Sequence, residues 1–180
     1  MPMNVILERI GAFNGAKGRM ETVDLGQEFD IFVDYAHTGD ALENVLVTLK
    51  EFVRGRILVV YGCGGNRGRE KRFDMTRVAE KYADFAWITA DNPRTEALSD
   101  IFNDMRSVIS DPDKFEFVQD RREAIIKAIQ SANSGDCVLI AGKGHESYQI
   151  IGRQVIPFDD AVVAKDALRI KLNSLKDLNV

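Results

Sequence analysis

Arg56-Ile57-Leu58-Val59-Val60-Tyr61 runs straight into Gly62-Cys63-Gly64-Gly65-Asn66-Arg67, and that junction decides the fold. The first six residues form a continuous apolar run of strand length without alternation, as a strand buried on both faces requires. The next six hold three glycines, which let backbone N–H groups approach a ligand, just before a helix start that favours anions. The same pairing of apolar run and polar cluster recurs three times. Residues 29–34 lead into Asp34-Tyr35-Ala36-His37, residues 85–89 into Asp91-Asn92-Pro93-Arg94, and residues 136–141 into Ala141-Gly142-Lys143-Gly144-His145-Glu146.

Between these runs the period changes. Residues 40–53 carry Ala41, Leu42, Val45, Leu46 and Leu49 at helical spacing. Further helices are expected over 69–82, 98–109, 122–132 and 159–172, the last capped by Asp159 or Asp160. Residues 19–24 and 115–118 read as additional strands, and 149–157 as a late β segment turning at Gly152-Arg153. Residues 4–17 read as a helical or irregular lead-in that ends in a glycine-rich stretch, 11–18; Met1-Pro2-Met3 is set aside. Strands alternating with helices predict an α/β, Rossmann-like fold, a mostly parallel sheet with helices on both faces. Ligands of such sheets bind at the carboxyl edge of the strands, so the four clusters are expected to converge on one site.

The 180 residues suit one domain with a short extra segment, large enough to bury a core without staples. A 45% hydrophobic and 29% charged composition is that of an ordinary globular protein, and a net charge of −4 argues against a nucleic-acid or anionic-membrane partner. The two cysteines, Cys63 and Cys137, are far apart and outside any CxxC pattern, which points to reduced thiols rather than to zinc or redox chemistry. No signal peptide or membrane-spanning run is present in the sequence, and a cytoplasmic location is expected.

Each cluster has a chemical and a plain reading. Residues 62–67, with Arg67 and Arg69 beside them, form either an anion site or a tight turn with solvated arginines. In Asp91-Asn92-Pro93-Arg94, Pro93 stiffens the loop, Arg94 offers a planar fork for a carboxylate, and Asp91 and Asn92 offer acceptors for an ammonium. Together they fit a zwitterionic amino acid; alternatively the loop is a turn and helix cap. In the last cluster Gly142 permits close backbone approach and Glu146 can accept from an ammonium, while Lys143 and His145 are acid–base or phosphate groups, or solvated. Asp34 suits ribose hydroxyls and His37 lies near phosphate or adenine, or else Asp34, Thr38 and Asp40 only shape a turn and cap the next helix. Arg19 is either a phosphate contact or a surface arginine. There is no P-loop: in Gly11-Ala12-Phe13-Asn14-Gly15-Ala16-Lys17-Gly18, alanine precedes the lysine where the second glycine belongs and glycine replaces Ser/Thr.

The segments at 18–21 (G-R-M-E), 34–37 (D-Y-A-H), 62–67 (G-C-G-G-N-R), 91–94 (D-N-P-R) and 142–146 (G-K-G-H-E) resemble, in order and over nearly the whole chain, the C-terminal domain of the Mur ligases, most closely those that add meso-diaminopimelate. The resemblance implies residues 18–180 as that C-terminal domain and 1–17 as a remnant of a preceding ATPase domain. It implies ATP-dependent amide ligation: ATP phosphorylates a D-glutamate γ-carboxyl of a UDP-N-acetylmuramoyl dipeptide, and the amine of diaminopimelate attacks. Arg67, Asp91, Asn92, Pro93, Arg94, Gly142 and Glu146 would then hold diaminopimelate, and Arg19, Asp34 and His37 the nucleotide. ATP and Mg²⁺ would be the cofactors of the longer chain, whose P-loop and Mg²⁺ residues lie elsewhere, and this segment alone would be inactive. The partners would be the other domains of the same chain. The sequence departs from the family at Gly39, where proline is usual. Two other readings remain: a stand-alone, non-catalytic amino-acid or nucleotide-binding module, and a lysine-adding or folylpolyglutamate-type relative, against which D-N-P-R argues.

Overall fold

The computed structural model describes residues 16–177, so the expected lead-in lies outside the described residues except for Ala16 and Lys17. Six strands form one sheet: β1 (Glu21–Thr22), β2 (Asp30–Asp34), β3 (Ile57–Tyr61), β4 (Phe85–Thr89), β5 (Phe115–Val118) and β6 (Cys137–Ala141), in the order β1-β2-β6-β3-β4-β5. All neighbours are parallel except β1 on β2. Helices α1 (Gly39–Phe52), α2 (Glu70–Tyr82), α3 (Leu98–Arg106), α4 (Arg121–Ser131) and α5 (Asp160–Asp177) connect or follow the strands, and β7 (Tyr148–Ile151) pairs with β8 (Gln154–Pro157) as a separate hairpin.

The unbroken apolar runs are buried on both faces. Ile57, Val59 and Tyr61 of β3, with Cys137 and Leu139 of β6, pack on Leu42, Leu46, Met75, Ile101 and Met105 of α1–α3. Leu58, Val60, Val138 and Ile140 face the opposite layer, where Ile125, Ile129, Ala164 and Leu168 of α4 and α5 lie. Every residue of β3 is at most 2% exposed, and each large side chain so buried contributes about 1.5–3 kcal/mol.

Three boundaries differ from expectation. The strand expected over 19–24 is only two residues long, because left-handed Gly18 (φ 68°) and Met20 (φ 45°) turn the chain before it. A turn in which Gly26 N donates to Asp24 Oδ1 closes it on the far side. Helix α3 stops at Arg106 rather than 109, since Ser107 Oγ donates back to Asp104 O and the Ser110 and Asp111 amides go to Glu80 Oε1, both at 2.7 Å. Helix α5 runs on to Asp177; Asp159 caps it, accepting from Ala161 N at 3.0 Å.

The chain steps over one place on its way from β2 to β3 and returns after β5 to fill it with β6. The in-register pairs Asp34↔Ala141 and Val60↔Ile140 bring the ends of β2, β6 and β3 level. The four polar clusters therefore sit side by side on one edge.

Candidate functional site

The loops after β3 and β4 are zipped together. Gly65 N donates to Asn92 O at 2.9 Å, and Asn66 N to Glu96 Oε2 at 2.6 Å. Thr95 donates to Asn66 Oδ1 through both its amide and its hydroxyl. Arg72 grips Glu96 with two bonds of 2.7 Å. A Cβ on Gly65 would sit 1.9 Å from Pro93 O, so glycine here allows loop against loop. The amides of Gly65 and Asn66 are consequently spent on the neighbouring loop, and Arg67 is left as the cluster's charge, exposed at the rim.

A cleft of about 580 Å³ opens beside this zipper, lined by Arg67, Asp91, Asn92, Arg94, Gly142 and Glu146 among others. Six of the seven residues expected to hold an amino acid thus meet in one place. Arg94 takes a left-handed backbone (φ 54°), uncommon without glycine, and the β7–β8 hairpin holds it there: Arg94 N donates to Ile150 O at 3.0 Å and Gly152 N to Arg94 O at 2.7 Å. Its Nη1 donates to Gly65 O (2.9 Å) and Asn92 O (3.3 Å). Nε and Nη2 meet no protein acceptor among the described residues, which leaves one side of the fork for a carboxylate. Pro93 is the exception: it faces away, lining a second cleft of about 550 Å³.

Opposite the fork lies a buried polar knot. Lys143 is fully buried, and its Nζ donates to Asn92 Oδ1 (3.2 Å) and Glu146 Oε2 (3.0 Å) and stands 3.6 Å from Asp91 Oδ1. Asn92 Nδ2 donates to the same Glu146 oxygen at 3.0 Å, and Asn92 Oδ1 accepts from Ile150 N at 2.9 Å. Burial pushes the Glu146 carboxyl up, but bonds from Lys143 and Asn92 outweigh it and hold the group below the usual carboxylate range. The solvated reading of Lys143 is therefore overturned: its ammonium is turned inward, where carboxylates compensate the desolvation. Gly142 (φ 112°) makes room for the knot, since a Cβ would lie 3.3 Å from Asp91 Oδ2. His145 is exposed, its ring 5.2 Å from that of Tyr35.

Sequence reasoning missed further lining residues, Lys71 and Cys63 among them. Lys71, in the first turn of α2, is half-buried and has no ion-pair partner among the described residues; burial lowers its pKa, and Arg67 and Arg94 add to that effect. Its position in the first turn after the glycine loop was the available signal. Cys63 also lines the cleft, but burial pushes its thiol up to about 12, so it is unreactive. Also missed was Arg121, fully buried in a two-bond pair with Asp160 (2.8 and 2.7 Å) and bonded to Ala141 O just before Gly142. The 39-residue separation of that pair left no local signal.

The three residues expected at a nucleotide fare differently. His37 lines the cleft, with Nδ1 2.8 Å from Tyr35 O and its ring 4.5 Å from that of Tyr35. Arg19 is exposed on the Gly18 turn, which packs so closely on the next loop that a Cβ at Gly18 would meet His145 N at 2.0 Å. Both Asp34 oxygens accept main-chain amides, from Met20 (2.8 Å) and Ala36 (2.7 Å), so the carboxylate shapes the turn as in the plainer reading. Gly39 opens α1 behind the Thr38 cap. Proline suits a first helical position, but a Cβ there would lie 2.9 Å from Asp74 Cβ, which explains glycine. Among the described residues no group of three or more His, Cys, Asp or Glu forms a metal site, and no helix is long and apolar enough to cross a membrane.

Comparison with known proteins identifies relatives of the chain and of its fold. The profile of the family "Mur ligase, glutamate ligase domain" matches residues 18–144. The UDP-N-acetylmuramoyl-L-alanyl-D-glutamate--2,6-diaminopimelate ligase of Oceanobacillus iheyensis is 49% identical over 172 residues, 95% of this chain and 35% of that protein. A solved structure bearing the same ligase name superposes with a TM-score of 0.85 at 41% identity, covering 96% of this chain and 35% of the other. A folylpolyglutamate synthase from Thermotoga maritima shares the fold, with a TM-score of 0.56 at 19% identity over 79% of this chain and 31% of its own. The chain spans about a third of the length of the relatives it matches. With the profile covering well over half of its residues, the chain belongs to the Mur ligase family.

Proposed function

We propose that this chain is the C-terminal, amino-acid-binding domain of an ATP-dependent ligase that joins meso-diaminopimelate to the D-glutamate carboxyl of UDP-N-acetylmuramoyl-L-alanyl-D-glutamate in bacterial peptidoglycan synthesis. Residues 18–180 form the domain, and 1–17 belong to the domain before it. The observation that carries the reading is the pairing, across one cleft, of the half-free Arg94 fork with the anionic knot of Asp91, Asn92 and Glu146. The fork offers donors to a carboxylate and the knot offers acceptors to an ammonium, so together they match one amino-acid centre. Arg67 adds a second cation at the rim. The names of the relatives that cover this chain at 41–49% identity support the same substrate.

ATP, when bound to the longer chain, supplies the phosphoryl group that activates the acceptor carboxyl. From this domain the exposed Arg19 and the cleft-lining His37 fit an anionic nucleotide, and Asp34 supports the turn that carries them. The Mg²⁺ ligands belong to the other domains. The experiment is to assay the natural full-length chain for ATP-dependent formation of the amide product with each candidate amino acid, by mass spectrometry. Product with diaminopimelate is expected; absence of product with every amino acid offered would refute the reading and favour a stand-alone binding module.

A further inference from the structure

Lys143 is fully buried and is not among the residues that line the cleft. Its Nζ donates to Asn92 Oδ1 at 3.2 Å and to Glu146 Oε2 at 3.0 Å and stands in an ion pair 3.6 Å from Asp91 Oδ1. Without it, the carboxylates of Asp91 and Glu146 would face one another in a poorly solvated corner, where like charges cannot both stay ionised. It also fixes the Asn92 amide. A cation can neighbour only the oxygen end, so Nδ2 is turned to Glu146, while Ile150 N donates to the same Oδ1 at 2.9 Å.

We propose that Lys143 is a positioning residue that serves as an internal counter-ion between the Asp91 and Glu146 carboxylates, so that this corner, two carboxylates against one ammonium, meets the ligand's ammonium with one net negative charge. This rests on the amino-acid-binding reading above and deepens it. The neighbours that complete the corner are the Tyr148 ring of β7, 5.6 Å from Nζ, His145, whose charge acts on Glu146, Arg121, paired with Asp160 and acting on both carboxylates, and Lys71, acting on Asp91. None of them touches Nζ in an ion pair, so Lys143 alone bridges the two carboxylates.

The test uses the full-length chain and reads the KM for diaminopimelate from pH 6 to 8 for Lys143→Met, as a ratio to the unaltered enzyme, with the KM for ATP and the melting temperature alongside. The ratio should be about tenfold or more at pH 7 and should climb as pH falls, because the two uncompensated carboxylates come to share a proton. The KM for ATP should hold. Lys143→Gln, which offers amide N–H donors without the charge, should show the same climb, and stands in if Lys143→Met does not fold. Lys143→Met/Glu146→Gln, with the like-charge pair removed, should give a ratio independent of pH. A flat ratio for Lys143→Gln, or equal rises in the KM for ATP and for diaminopimelate, would overturn the counter-ion role. If the unaltered enzyme does not use diaminopimelate at all, the amino-acid reading itself fails.

Discussion

Arg72 and Glu96 meet in a two-pronged ion pair, Nη1–Oε1 and Nη2–Oε2 both 2.7 Å, that ties helix α2 to the loop carrying Arg94. Arg72 is 1% exposed and also bonds Asp104 Oδ2 at 2.7 Å. Glu96 in turn accepts from Asn66 N. One carboxylate therefore joins both loops of the cleft to the core. Glu96→Ala should leave a buried guanidinium half-compensated and cost about 3 kcal/mol, read by chemical denaturation. It should also raise the KM for the amino acid, since the loops lose their common anchor.

The same network predicts acid sensitivity. Hydrogen bonds from Arg72 hold the Glu96 carboxyl below its ordinary range, and bonds from Arg69, then Arg72, do so for Asp104. Both groups bind protons more readily in the unfolded chain. Their contribution to stability is thus complete above about pH 5 and is lost as pH falls through the lowered folded values. Denaturant unfolding between pH 7 and pH 3 should show this fall, and Glu96→Gln/Asp104→Asn should flatten it.

Arg121 and Asp160 pair in the core with no exposure. Asp160→Ala should destabilise the protein by about 3–5 kcal/mol, because it strands a charge, while replacing both by apolar residues of similar volume should cost far less. Thermal unfolding of the three variants decides the matter; equal losses for the single and double changes would contradict it.

Arg94→Ala should raise the KM for the amino acid far more than that for ATP, by roughly tenfold to a hundredfold, the worth of a charge-assisted contact of about 1.5–3 kcal/mol. Arg94→Lys should recover little, because an ammonium cannot bond Gly65 O and a ligand carboxylate as a planar fork does. Steady-state kinetics of the full-length chain checks both. Equal effects on the two substrates would mark Arg94 as a support of the fold.

The strands and the edge on which their clusters meet were legible because buried parallel strands are written as unbroken apolar runs: β4 and β5 fall where residues 85–89 and 115–118 predict them. Helix ends were less legible, since α3 is cut short by Glu80, thirty residues away, capturing the amides after it. The cleft's lining could be read in the polar clusters. The inward turn of Lys143, the buried Arg121–Asp160 pair and the occupation of Asp34 by main-chain amides could not, because each depends on partners that only the folded sheet brings near.

The central claim is that this cleft reads a carboxylate and an ammonium on one carbon. L-Lysine differs from meso-diaminopimelate by lacking that carboxylate, so it would leave the Arg94 fork unmatched when the site closes, at a cost of a few kcal/mol. The direct measurement is competition in the full-length chain, with both amino acids at equal concentration and the two products separated by mass. The account predicts that diaminopimelate is incorporated at least about tenfold more often; comparable incorporation of lysine would contradict it.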